Sequence, residues 1–327
     1  MKITNWGICG TGFIANDFAT KVDRSKFNIL GVFDINANSL ANFATKYDIS
    51  NTYTDFAKMA SNPDIQGIYI GTPNSTHYPL MMQALNAGKN VLVEKVATLN
   101  GQQLDQVQKL AHKKGLVVIE GVTMYYMPLF KRIKEMVIQN KLGKLSTVNI
   151  TFGSSKEYDP TNRFFSLEKG GGVLFDIGTY ALSTLVYFMG IETKLLNTKV
   201  IMSESGVDEK SSFIVENDNQ VLGTATIAFR GKMPKQIIVS GDKGYVVIKD
   251  FPRAEEATVY WNNGESENIQ TGDENQIFNY ELTRLNVYSD NATGSEEDTR
   301  KLTSRVIHIM DDARKEWGLK FPHEELI

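Results

Sequence analysis

The chain of 327 residues holds a single cysteine, Cys9, so no intrachain disulfide can staple it, which fits a reducing compartment. Its four histidines, at 77, 112, 308 and 323, have no Cys or His partner at metal-ligand spacing, and no metal site is expected. No run of 18 apolar residues occurs, and Met1-Lys2-Ile3-Thr4-Asn5-Trp6 shows neither an apolar signal core nor a cleavage site. Thirty-five Lys plus Arg are spread evenly among 38 Asp plus Glu, a formal charge of −3 with no basic block. That balance argues against nucleic-acid binding and against a membrane-surface helix. With 8 Pro, 26 Gly and no internal repeat, the composition is that of an ordinary globular protein, expected in the cytoplasm.

At roughly 150 residues per domain, the length predicts two domains. Strand-like runs at 3–9, 29–33, 65–70, 91–93 and 117–119 alternate with helical patterns at 13–22, 40–47, 56–59, 78–86 and 102–114. This alternation predicts a doubly wound parallel sheet over 1–121. In the last helical pattern Leu104, Val107, Leu110 and Ala111 form the apolar stripe and Gln103, Gln106 and Lys113 are expected outside, with Asn100 as N-cap and Gly115 as stop. After Glu120 come helices at 128–140 and 176–190. Successive strand-like runs then fill 194–269, including 221–229, 237–240 and 245–248, with Asp242-Lys243-Gly244 as a hairpin turn. Helices at 275–288 and 295–317 close the chain. Strands without intervening helices predict a mostly antiparallel sheet, and 122–327 is expected as an α+β domain.

Gly10-Thr11-Gly12-Phe13-Ile14-Ala15 reads G-x-G-x-x-A where the first strand gives way to the first helix. The first glycine permits a tight turn, the second lets backbone approach a pyrophosphate, and Ala15 lets helix pack closely on sheet. The helix N-terminus then offers unpaired N–H groups to the phosphates. Asp34 ends the second strand 24 residues after Gly10, where a ribose-binding carboxylate is expected, an exposed helix cap being the alternative. An acidic side chain there repels a 2′-phosphate, and the next residue is Ile35, not Arg, so NAD is favoured over NADP. Cys9 reads as a small buried strand residue.

Three further segments lie at expected strand and helix ends: Gly71-Thr72-Pro73-Asn74-Ser75-Thr76-His77, Glu94-Lys95, and Gly170-Gly171-Gly172-Val173-Leu174-Phe175-Asp176-Ile177-Gly178-Thr179-Tyr180. With the fingerprint, and in this order, they resemble the Gfo/Idh/MocA oxidoreductase family over nearly the whole chain. The resemblance implies an N-terminal Rossmann domain and a C-terminal domain with an open, largely antiparallel sheet that forms a subunit interface, hence a homodimer or homotetramer. It implies that Thr72, Pro73, Asn74, His77 and Glu94 join Gly10, Thr11, Gly12, Phe13, Ile14 and Asp34 around the cofactor. Lys95 would sit at nicotinamide and substrate, and Asp176 would touch the substrate. Tyr180, at a position that is His in many members, is similar to the branch of dimeric dihydrodiol dehydrogenases, with tyrosine as the proposed acid/base.

Asp176 and Tyr180, four apart on one expected helix, share a face, and Lys95 leaves the carboxyl end of a parallel strand. The implied chemistry is hydride transfer between nicotinamide and a carbinol of a sugar, polyol or cyclic dihydrodiol, Tyr180 exchanging the hydroxyl proton with help from the Lys95 ammonium. Tyr125 and Arg163 are further substrate candidates; for Arg163 the alternative is a surface ion pair, and for His77 a loop histidine bonded to backbone. Val96 stands where the family usually has proline, and Thr123 and Tyr125 where the tyrosine branch commonly has Trp and Arg. A non-catalytic cofactor-binding regulator and an NAD-dependent glycosidase are the competing functions.

Overall fold

Short apolar runs with no polar alternation become strands covered on both faces, and this is how the first unit is built. The structure, a computed structural model, describes residues 2–290 and 298–326, so the expected helix start at Ser295 lies outside the described residues. The strands are β1 (Asn5–Cys9), β2 (Asn28–Phe33), β3 (Asn51–Tyr53), β4 (Gly67–Ile70), β5 (Asn90–Val93) and β6 (Val118–Glu120). Between them run α1 (Phe13–Lys21), α2 (Ala37–Tyr47), α3 (Phe56–Ala60), α4 (Asn74–Asn86) and α5 (Gly101–Lys114). All six strands are parallel, in the order β3-β2-β1-β4-β5-β6, with a topological switch point between β1 and β4 where doubly wound folds bind ligands. The three-residue β3 escapes sequence analysis because it has no buried residue.

Asn100 caps α5 by accepting the Gln103 N–H at 2.8 Å, a bond of about 1 kcal/mol, and Gly115 ends it in the left-handed region. Gln103 itself is buried, contrary to its expected outward place. Its amide accepts the Leu99 N–H at 3.1 Å and donates to the Glu325 carbonyl at 3.3 Å, so a polar residue fills a core position by satisfying backbone.

The first unit comprises Met1–Gly121, Asn275–Arg300 and Glu325–Ile327; the second comprises Val122–Glu274 and Lys301–Glu324. Of the stretch 122–327, residues 275–300 and 325–327 thus cluster with the first unit. Helix α8 (Ile277–Ser289, numbered in the order of the whole chain) returns to the first unit through two asparagines. Asn279 accepts the Asp23 N–H at 2.8 Å and donates to the Lys21 carbonyl at 3.0 Å, and Asn286 does the same for Ile3 at 2.7 and 3.3 Å. Phe278 packs edge-on against Phe18 and Tyr69.

In the second unit, α6 (Pro128–Ile138) precedes β7 (Leu145–Ser154), and α7 (Thr179–Met189) precedes β8 (Lys194–Met202), β9 (Asp208–Glu216) and β10 (Leu222–Phe229). There follow β11 (Met233–Gly241), β12 (Gly244–Lys249), β13 (Glu256–Trp261), β14 (Ser266–Gln270) and α9 (Thr299–Trp317). Its eight-stranded sheet has the order β14-β13-β12-β11-β7-β10-β9-β8, and every pair but β7 with β10 is antiparallel. One face buries Val148, Gly223, Val239 and Val246 in register; the other leaves Ile214, Leu222, Tyr245 and Tyr260 exposed. Among the described residues no helix is long and apolar enough to cross a membrane.

Trp6 in β1 is fully buried with its ring over Gly67 of β4, where an added Cβ would lie 2.7 Å from the ring. Gly67→Ala should therefore destabilise the chain by about 1–3 kcal/mol through overpacking, read as a lowered urea midpoint with unchanged slope. A midpoint equal to wild type would show that the ring has room to move.

Candidate functional site

At the switch point the strand β1 must turn into α1 under the chain leaving β4. Gly10 does this at φ +96°, and a Cβ there would lie 2.8 Å from the Gly71 carbonyl oxygen. The turn is tied on both sides, Gly10 N–H donating to Phe33 O at 2.8 Å and Gly71 N–H to Cys9 O at 2.9 Å. Gly12 is the N-cap of α1; no side chain among the described residues caps this helix, and nothing lies within 4 Å of where a Gly12 Cβ would be. The first N–H groups of α1 thus have no side-chain cap at the positive end of the helix dipole, the setting a pyrophosphate requires. Ala15 is fully buried under the turn, Ile14 half-buried, and Phe13 is 88% exposed at the rim.

Asp34 ends β2 beside this turn. Its Oδ2 accepts both the Thr11 N–H at 2.9 Å and the Thr11 hydroxyl at 2.7 Å, and its Oδ1 accepts the Asn36 N–H at 2.8 Å. The carboxylate is fastened to the glycine loop, and carboxylate oxygens can each accept a further bond from a ribose hydroxyl. These residues fit a dinucleotide. Cys9, in the strand beneath, is buried; burial above all, and then Asp34, push its thiol pKa well up, so it is no thiolate nucleophile.

The chain after β4 runs through Thr72 and Asn74, both half-buried, and exposed Pro73, which precedes α4. His77 is fully buried, with Nδ1 2.8 Å from the Val96 carbonyl oxygen and Nε2 2.9 Å from the Thr72 carbonyl oxygen. Its ring bridges the loop after β4 to the segment after β5 that carries Lys95. Glu94 is buried and accepts the Tyr69 hydroxyl at 2.7 Å. Burial, then the Glu94 charge, raise the Tyr69 pKa well above its usual value, keeping that hydroxyl a donor. The Lys95–Val96 peptide is cis, and Lys95 is half-buried.

In the second unit the expected regular helix over 176–190 opens instead with one π turn, Leu174–Gly178, followed by α7. Such turns widen the helix and are frequent at functional sites. Phe175, Ile177, Gly178, Thr179 and Ala181 are buried, whereas Asp176 and Tyr180 are half-buried, so these two are the polar groups the segment presents. Asp176 Oδ2 is 3.4 Å from Nζ of Lys156, a residue that follows β7 and whose ammonium lies 3.5 Å from the Phe164 ring centre. Lys156 was not legible from sequence: it belongs to no motif, and only the fold brings it to Asp176. Arg163 is exposed, its guanidinium 4.2 Å from the Phe164 ring centre. Tyr125 is buried with its ring against Tyr187 and Tyr126. Among the described residues no group of three or more His, Cys, Asp or Glu could hold a metal ion.

Residues 4–122 match the model of an oxidoreductase family with an NAD-binding Rossmann fold, and residues 130–247 match the GFO/IDH/MocA C-terminal domain. The chain is 29% identical over 252 residues to trans-1,2-dihydrobenzene-1,2-diol dehydrogenase of Xenopus laevis, 76% of each chain. It is 26% identical over 331 residues to scyllo-inositol 2-dehydrogenase (NADP(+)) IolU of Bacillus subtilis (strain 168), 98% of this chain and 99% of that one. Its fold is shared with a 3-ketoreductase from Actinomadura kijaniata in complex with NADP and TDP-benzene, with a TM-score of 0.85 at 16% identity, covering 95% of this chain and 97% of the other. With both of the family's domains matched in order, on a cradle built for a dinucleotide, the chain belongs to the GFO/IDH/MocA family of oxidoreductases.

Proposed function

We propose that this oxidoreductase exchanges a hydride between a nicotinamide cofactor and a carbinol or carbonyl of a sugar, polyol or cyclic dihydrodiol. The observation that carries the reading is the pair Asp176 and Tyr180, presented half-buried from an otherwise buried helix start. The names of the two relatives, a diol dehydrogenase and an inositol dehydrogenase, support a substrate with neighbouring hydroxyls.

Bound NAD(P) supplies the hydride acceptor or donor. Gly10, Thr11, Gly12, Phe13 and Ile14 would hold its pyrophosphate end, with Thr72, Pro73 and Asn74 along the loop; His77 and Glu94 keep that loop and the Lys95 segment in place. Asp34 would accept the ribose hydroxyls and repel a 2′-phosphate, which favours NAD over NADP although one relative is named for NADP(+). Tyr180 exchanges the proton of the reacting hydroxyl, and Lys95, as an ammonium, polarises the reacting oxygen. Asp176 accepts a neighbouring hydroxyl, its charge balanced by Lys156. Arg163 stands at the exposed edge, and Tyr125 supports from within. The exposed apolar side chains Ile214, Leu222, Tyr245 and Tyr260 on one sheet face support assembly into a homodimer or homotetramer. The single cysteine supports a cytoplasmic setting.

The test is turnover of a polyol, sugar and dihydrodiol panel followed by nicotinamide absorbance, with Tyr180→Phe beside wild type. The variant should lose roughly 10²-fold or more in kcat with NADH affinity unchanged. Wild-type turnover by the variant would remove Tyr180 as the acid/base.

A further inference from the structure

Asp208 opens β9 with its carboxyl fully buried. Its Oδ2 accepts the Leu174 N–H at 2.7 Å, while Oδ1 has no hydrogen-bond partner among the described residues. Leu174 is the first residue of the π turn that carries Asp176 and leads to Tyr180. The glycine run before it is pressed against the same carboxyl: at Gly172, with φ +109°, any Cβ would collide with Asp208 Oδ1. On its other side the run is held by backbone, Gly171 N–H donating to Ser166 O and Gly172 N–H to Phe164 O, both at 2.9 Å. Asp208 is thus a side-chain anchor for the start of the Asp176 and Tyr180 helix. The charged group whose field reaches it is Arg314 of α9, which is itself paired with Asp311 and Glu324.

A buried carboxyl with one oxygen unsatisfied is costly, and a hydrophobic residue would fill the space more stably. We propose that Asp208 is a positioning residue for Asp176 and Tyr180, fixing the start of their helix through the Leu174 N–H. The proposal rests on the reading of those two as the hydroxyl-holding and proton-exchanging groups. Burial raises the Asp208 pKa to about 7, against the opposing pull of backbone N–H bonds and of Arg314. Ionised, the carboxylate makes a charge-assisted bond to Leu174 N–H; protonated, it makes a weaker one. The helix start is held more firmly above this pKa than below it, and catalysis should register the change.

Linkage gives the sign for stability. The folded value lies above that of the unfolded carboxylate, so the contribution of Asp208 to stability is fully present below about pH 4 and is lost as pH rises to about 7.

The experiment compares wild type, Asp208→Asn and Asp208→Ala, using trans-1,2-dihydrobenzene-1,2-diol and scyllo-inositol as probes with NAD. The asparagine carbonyl still accepts the Leu174 N–H without titrating. Its Tm should exceed that of wild type by a margin that widens from pH 5 to 7 and is constant above. Its log kcat profile should lack the ionisation near pH 7 that wild type shows. Asp208→Ala should lose roughly tenfold in kcat at pH 7 with the NADH dissociation constant unchanged. A wild-type pH profile in Asp208→Asn, or wild-type kcat in Asp208→Ala, would reduce Asp208 to a packing role and overturn the proposal. If Asp208→Ala does not fold, the Asp208→Asn profile decides. Turnover of neither probe by wild type is a distinct result: it rejects the roles given to Asp176 and Tyr180, and the proposal falls with them.

Discussion

Gly10 sits at φ +96° beneath the Gly71 carbonyl, and the geometry of the first unit follows from that close approach. Because β1 and β4 are neighbours whose helices leave in opposite directions, their carboxyl ends open a crevice, and only a residue without a Cβ can cross its floor. Once the chain has crossed, α1 begins with uncapped N–H groups, and Thr11 is placed where Asp34 can take both its N–H and its hydroxyl. The acidic end of β2 and the glycine loop are then a single bonded element. His77 and the Tyr69–Glu94 pair extend the same tying of loops to the ends of β4 and β5.

The second unit solves a related problem with a side chain. The helix that carries Asp176 and Tyr180 begins in a π turn after a glycine run, which Asp208 and the carbonyls of Phe164 and Ser166 hold. Asp176 and Tyr180 stay half-buried while the residues around them are buried, the segment packing against β7 and β10. In the proposed reaction, Asp176, paired with Lys156, would meet neighbouring hydroxyls of the substrate.

Local chemistry was legible in the sequence wherever a residue type has one dominant use. The Gly10 turn, the Asn100 cap and the Gly115 stop each follow from backbone requirements that few residues satisfy. The alternation of strand and helix likewise predicts the parallel sheet, since buried strands cannot afford polar alternation. What escaped depended on contacts distant in sequence. Gln103 looks like a surface residue until the backbone of Leu99 and Glu325 is placed around it. The return of α8 rests on Asn279 and Asn286, which carry no periodic signal. Lys156 and Asp208 belong to no motif, and their partners lie 20 and 34 residues away.

The most direct measurement is a titration of nicotinamide fluorescence with NADH and with NADPH on purified, ligand-free protein. The expected result is saturable binding of NADH, tighter than NADPH by roughly tenfold, about 1.4 kcal/mol of discrimination at Asp34. Absence of binding by either nucleotide would contradict a dinucleotide function for the cradle at Gly10, and with it the redox chemistry proposed for the chain.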